Sequence, residues 1–315
     1  MDWITTAVDL DRIDQAGPAP GRALRPAPDL LQRPFRYVCS IVAQFPEQKI
    51  LNLKHELYNR PFMGGTGIII SPRHILTCAH VVRAWSIFGK RGGRMTKILK
   101  PDLIYVTPGR VASKGNVPKS RIGTWRAVRS WVPSGALRYD REGDATEGVF
   151  RAHDFALIEV QTNDDRRYPG DTRLPGGGTL GWWCKPRENS IRVSTFDGGL
   201  SKRRVNVAGY PEREGGKNDR MRLGLNDVID TFPPDRRTGR ALPMVRYAVN
   251  TRRGMSGGPI WVYKPDGPYP RQLVALHHAT ETSGNRRYAT GLLIRPALRA
   301  FLRARGVPSK VLRFS

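Results

Sequence analysis

Short apolar runs broken by turn-forming residues dominate the chain, and a helical period is almost nowhere sustained. Residues 37–45 read as a strand. Residues 67–70 and 75–77 read as two more, flanking the turn Ser71-Pro72-Arg73. Further strand-like runs fall at 103–106, 123–128, 155–160, 191–195, 204–211, 245–250, 260–263 and 273–277. The exception is 296–305, with Pro296 in the first turn, apolar residues at helical spacing and Gly306 behind it, which predicts a C-terminal amphipathic helix. The pattern as a whole predicts an all-β protein.

Residues 1–32 stand apart as an extension. The run 16–21 is rich in proline, glycine and alanine, and Pro26 and Pro28 follow, a composition that makes a stiff, poorly helical linker. A tail, a pro-segment and a partner-docking arm all fit it. The first residues are acidic and interrupted and lack the basic start and apolar stretch of a secretory signal, so a cytoplasmic protein is expected. Three cysteines (Cys39, Cys78, Cys184) form no metal pattern and cannot all pair internally, so reduced thiols are expected. No apolar run is long enough to span a bilayer, and no membrane partner is expected.

The charge widens the range of partners. With 53 Lys+Arg against 27 Asp+Glu, the net charge is +26, which suits nucleic acid, an anionic surface or an acidic protein substrate. It equally suits a solvated basic surface. The positive residues are spread along the chain, without an RNP, zinc-finger or basic-zipper pattern.

One stretch carries chemistry. In 251–261, Ser256 sits among Gly254, Gly257 and Gly258, with Pro259 and an apolar run behind. Glycines permit a tight turn that exposes a hydroxyl while neighbouring amides converge on one point, as an acyl-transfer nucleophile requires. An ordinary turn between strands has the same composition, so the reading depends on a base and an acid elsewhere. His80 closes the apolar run after Ser71-Pro72-Arg73, and Asp154 stands directly before the run 155–160. Asp144 is the rival acid, in a polar loop with no strand directly behind it.

Gly-x-x-Ile-Ser-Pro-Arg-x-Ile-Leu-Thr-x-Ala-His at 67–80, Asp-Phe-Ala-Leu-Ile at 154–158 and Gly-Met-Ser-Gly-Gly-Pro at 254–259 together resemble the chymotrypsin-like (trypsin-fold) serine peptidases. The resemblance covers roughly 33–305 and implies two antiparallel β-barrels, about 33–165 and about 175–295, then a helix at about 296–305 and a tail at 306–315. The order His80, Asp154, Ser256 is that of the family's triad. By resemblance Ser256 is the nucleophile, His80 the base and Asp154 the residue that orients it. The amides of Gly254 and Ser256 then form the oxyanion hole. No metal or cofactor is implied. Val81 occupies the place where the family often has a disulfide cysteine, and Met255 a place that is commonly polar. The interval of 74 positions from His80 to Asp154 implies insertions between about 107 and 148.

Val-Ala-Gly-Tyr-Pro at 207–211 resembles the bacterial glutamyl endopeptidases. That branch implies substrate-binding roles for His277, on a strand after the nucleophile, and for Thr251, five residues before it. Arg252 and Arg253 are then either the rim of an anion-preferring pocket or surface charge, and Asn250 stands where an aspartate would favour basic substrates. The expected activity is a serine endopeptidase cutting proteins or peptides after acidic residues, held in check by a regulatory partner, as in an intracellular effector of bacterial defence. The alternative is an inactive protease fold that binds nucleic acid or a protein through its basic surface.

Overall fold

The computed structural model describes residues 24–309 except 28, 47–49, 52–56, 59–61, 88–94, 115–116, 138–151, 185–188, 192–199, 201–203, 213–219, 232–242, 264–269 and 284–285. The rival Asp144 and most of the predicted extension lie outside the described residues.

The first half closes into a barrel. Its strands are β2 (Val38–Gln44), β3 (Phe62–Ile69), β4 (His74–Thr77), β5 (Leu103–Pro108), β6 (Trp125–Trp131) and β7 (Ala156–Val160), after a two-residue strand β1 (Arg25–Pro26). They pair around the ring β6-β7-β4-β3-β2-β5. β4 and β7 are buried at nearly every position, as the unbroken apolar runs Ile75-Leu76 and Ala156-Leu157-Ile158 demand. Between β5 and β6 the chain makes a small hairpin, Arg110–Lys114 against Val117–Ser120, which accounts for part of the predicted insertion.

The second half repeats the plan with β8 (Arg204–Gly209), β9 (Arg222–Thr231), β10 (Met244–Tyr247), β11 (Pro259–Tyr263), β12 (Arg271–Ser283) and β13 (Arg286–Leu293). These pair in the order β9-β8-β11-β12-β13-β10, and the β9–β10 pairing closes the ring. β1 adds to the edge of β9, with Arg25 opposite Leu223 and Pro26 opposite Arg222. Residues from 24 onward are thus docked on the second sheet, within what the sequence marks as extension. Leu24 packs into the second core, and the Ala27 amide donates to the Met221 carbonyl at 3.1 Å.

An aromatic seam joins the halves. Trp261 of β11 meets Trp183, with ring centroids 5.8 Å apart, and Phe35 at 6.4 Å, both edge-on. Edge-to-face rings are favoured by the aromatic quadrupole and add to the large apolar area buried. The helix predicted at the C-terminus is α2 (Pro296–Ala304), after the single turn α1 (Ala79–Val82). α2 buries Leu298 and Leu302 and sets Phe301 edge-on to Phe155 at 5.2 Å, so the last element braces the residue next to Asp154. Cys39, Cys78 and Cys184 are all buried, and none of the three is in a disulfide.

Candidate active site

The β4–β7 ladder assembles the first half of the site. Ala156 lies opposite Thr77 and Leu157 opposite Leu76, so the short stretch before β7 faces the turn after β4. Asp154 and His80 occupy those places. The Asp154 carboxylate accepts twice from His80, at Oδ1 from the backbone N–H (2.9 Å) and at Oδ2 from the ring Nδ1 (2.7 Å). Asp154 is fully buried. Burial alone would raise its pKa, but His80 and His278 beside it outweigh that and hold the carboxyl well below the usual range.

Ser256 sits on the turn between β10 and β11, and its place there depends on glycine. Gly254 (φ 86°) and Gly257 (φ 84°) adopt left-handed backbone, and a Cβ on Gly257 would overlap the Thr66 carbonyl and the Thr77 hydroxyl. The turn is pinned from both barrels. Thr66 of β3 donates its amide to the Ser256 carbonyl and its hydroxyl to the Gly254 carbonyl, each at 2.8 Å. The Gly257 amide donates to the His277 carbonyl at 2.8 Å. Met255 is fully buried in the second core and lies against Gly209, so the side chain at this commonly polar place anchors the turn by apolar packing. The half-buried Ser256 donates its hydroxyl to the His278 carbonyl at 3.0 Å.

Beside the turn lie the two residues singled out for substrate binding. Thr251 is buried, and its hydroxyl lies 2.7 Å from that of Thr280 on β12. His277 is buried, with Nδ1 2.6 Å from the Tyr247 hydroxyl. Burial first, then the neighbouring His278 and His80, lower the His277 pKa to about 3, so its ring is neutral at physiological pH. Arg253 pairs with Glu212, Nε to Oε2 at 3.0 Å, in a partly exposed ion pair, and Arg252 is exposed. Arg253 thus has an acidic partner of its own.

Sequence reasoning passed over His278 and Thr280. His278 Nε2 lies 3.1 Å from Asp154 Oδ2, and its ring stands edge-on to that of His80 at 5.6 Å. His277 faces Gly291 and Ala279 faces Thr290, so His278 is the extra residue of a β-bulge. The paired histidines were the available signal, but the bulge that re-aims the second cannot be seen in a strand pattern.

Cys78, His80 and Asp154 bring ligand-type atoms within 4.8 Å of one another. Burial first, and Asp154 second, push the Cys78 thiol well above its usual range, and the Asp154 carboxylate already accepts from His80 twice.

The model of the trypsin-like peptidase domain matches residues 65–264, well over half the chain. No curated protein matches. Among solved structures, a Glu endopeptidase in complex with MPD superposes with a TM-score of 0.55 at 17% identity, covering 91% of this chain and 97% of that one. The protease Anisep from Arthrobacter nicotinovorans gives 0.52 at 11% identity, covering 87% and 96%. Two six-stranded barrels, a C-terminal helix and the family match lead to one conclusion: the chain belongs to the trypsin-like peptidase family, as a chymotrypsin-like serine endopeptidase.

Proposed function

We propose that the enzyme cuts peptide bonds through Ser256, His80 and Asp154, and that it prefers an acidic residue before the cut. The observation that supports the triad most is the doubly bonded His80–Asp154 pair. With Nδ1 of His80 committed to the carboxylate, Nε2 is the nitrogen left to act as base. In the reaction the Ser256 oxygen bonds to the scissile carbonyl carbon as its proton passes to His80 Nε2. That proton then goes to the leaving amine as the C–N bond breaks. Water then attacks the acyl carbon, its proton passing to His80 Nε2 and on to the Ser256 oxygen as the ester bond breaks and the acid product leaves. The amides of Gly254 and Ser256 stabilise the oxyanion, each worth roughly 3–4 kcal/mol in the transition state.

The acidic preference rests on polar groups beside the nucleophile turn. Thr251 and Thr280 present paired hydroxyls, and His277 and Tyr247 form a second pair. Hydroxyl and imidazole N–H groups can donate to a carboxylate, and a protein surface this basic draws acidic peptides toward it. The test is a cleavage profile on a proteome-derived peptide library. Glu or Asp before the cut is expected to exceed Lys or Phe; dominance of Lys, Arg or Phe overturns the preference.

A further inference from the structure

Four ligand-type side chains, scattered along the chain, converge on Asp154. Sγ of Cys78, a ring nitrogen of His80 and a carboxylate oxygen of Asp154 lie within 4.8 Å of one another. His278 adds a fourth: its Nε2 is 3.1 Å from Asp154 Oδ2 and buried without an aligned hydrogen-bond partner. All four residues are more than nine-tenths buried. A buried nitrogen in that state is costly, and here it faces a cluster of donors. One thiol, two imidazoles and one carboxylate form a donor set that suits zinc. A tetrahedral zinc ion holds such atoms about 3.3–3.6 Å apart. The imidazole–carboxylate separations of 2.7 and 3.1 Å fall just inside that range, and shifts of about 1 Å bring all four donors to it.

We propose that Cys78, His80, Asp154 and His278 form a binding site for zinc or a similar thiophilic divalent cation, which switches the peptidase off reversibly. That the ion inhibits rests on the triad reading above; that it binds does not. At rest the Cys78 thiol donates to the His277 carbonyl at 3.3 Å, and His80 Nδ1 donates to Asp154. The ion replaces the thiol proton, which leaves to solvent, because a metal-bound thiol is deprotonated. His80 loses its Nδ1 proton to solvent and gains one at Nε2, so its ring stays neutral. Binding thus releases one proton, and the thiolate and carboxylate together balance the two charges of the ion. His278 ligates through Nε2 and carries its own proton on Nδ1, 3.5 Å from Thr290 Oγ1. That hydroxyl gives its proton to the Ala279 carbonyl, so toward Nδ1 it can accept, the outer-shell contact that fixes a ligating histidine.

Binding removes the base. With Nδ1 on the ion and a proton on Nε2, His80 cannot take the Ser256 proton. Cys78 is no member of the proposed triad, so replacing it separates two properties: hydrolysis survives, and the metal site does not. Magnesium and calcium favour all-oxygen sites and do not match one thiol and two imidazoles.

The experiment strips wild type, Cys78→Ala and His80→Ala of metal with a chelator, then titrates peptide hydrolysis with zinc chloride, with magnesium chloride as the control. Wild type is expected to lose activity to zinc, to regain it when chelator is added, and to ignore magnesium. Metal-free Cys78→Ala should hydrolyse nearly as wild type does. Its half-inhibiting zinc concentration should rise roughly 100-fold or more, since losing a ligand exceeds the 10–100-fold cost of losing an outer-shell partner. Should Cys78→Ala fail to fold, Cys78→Ser takes its place. A second readout needs no turnover. Cobalt(II) added to Ser256→Ala should give a near-ultraviolet thiolate-to-cobalt absorption band that disappears when Cys78→Ala is combined with it. Wild type indifferent to zinc, equal zinc inhibition of wild type and the Cys78 variant, or no Cys78-dependent cobalt band overturns the site. Full activity in metal-free His80→Ala overturns instead the triad reading, and the cobalt spectrum still decides the site.

Discussion

The amide of Thr66 donates to the carbonyl of Ser256 at 2.8 Å, so a strand of the first barrel holds the turn of the second that carries the candidate nucleophile. His80 and Asp154 belong to the first barrel and Ser256 to the second. Their alignment therefore depends on such cross-barrel bonds as much as on either core. The Thr66 hydroxyl adds two more, accepting from the Tyr210 amide at 2.9 Å and donating to the Gly254 carbonyl at 2.8 Å.

Thr66→Val tests that brace. Valine keeps the shape but leaves a buried amide and a buried carbonyl without partners. The unfolding free energy is expected to fall by roughly 2–4 kcal/mol, with kcat reduced more than KM is raised. Denaturant titration and steady-state kinetics check both.

Gly257→Ala strikes the same turn from within. The residue has φ 84°, and an added Cβ would overlap the Thr66 carbonyl and the Thr77 hydroxyl, neither of which is the end of a flexible side chain. The turn must move, and hydrolysis is expected to fall at least 100-fold even in folded protein. Circular dichroism establishes folding, and kcat/KM gives the loss.

Thr251→Val and Thr280→Val bear on specificity. Each removes one of two hydroxyls 2.7 Å apart without changing bulk. The ratio of kcat/KM for Glu over Phe substrates is expected to drop about tenfold in either variant, with Phe substrates little affected. Matched fluorogenic peptides measure the ratio directly.

Acid is expected to destabilise the fold through two buried histidines. Burial lowers His74 to about 4 and His277 to about 3, below the ordinary histidine value near 6.5. The unfolded chain thus binds more protons in this window. Stability is complete above about pH 6.5 and declines as pH falls toward 4 and 3, by at most about 1.4 kcal/mol per unit for each histidine. Asp154, held below its usual value, adds a loss of the same sign below about pH 4. Thermal melts from pH 7.5 to 4.5 give the slope, and His74→Gln should flatten it.

The sequence carried the proposed triad more plainly than its setting. His80, Asp154 and Ser256 each sit at the end of an apolar strand or in a glycine turn, and local composition marks such places. The C-terminal helix was equally legible, because Pro296 and the spacing of Leu298 and Leu302 write a helical period. His278 was not legible, since its direction depends on a one-residue bulge in the β12–β13 register. Nor was β1: Arg25-Pro26 reads as linker and becomes a strand only because the edge of β9 is there to pair with. Arg253 was ambiguous because its partner, Glu212, is distant in sequence and joins it only in the folded turn.

The proposed mechanism requires that His80 activate Ser256. Treating the purified enzyme with a serine-directed phosphonate and mapping the adduct by mass spectrometry tests this directly. One phosphonate per chain is expected on Ser256, with labelling slowed about 10⁴-fold or more in His80→Ala and absent in Ser256→Ala. Equal labelling of wild type and His80→Ala, or an adduct at another residue with Ser256 untouched, would contradict it.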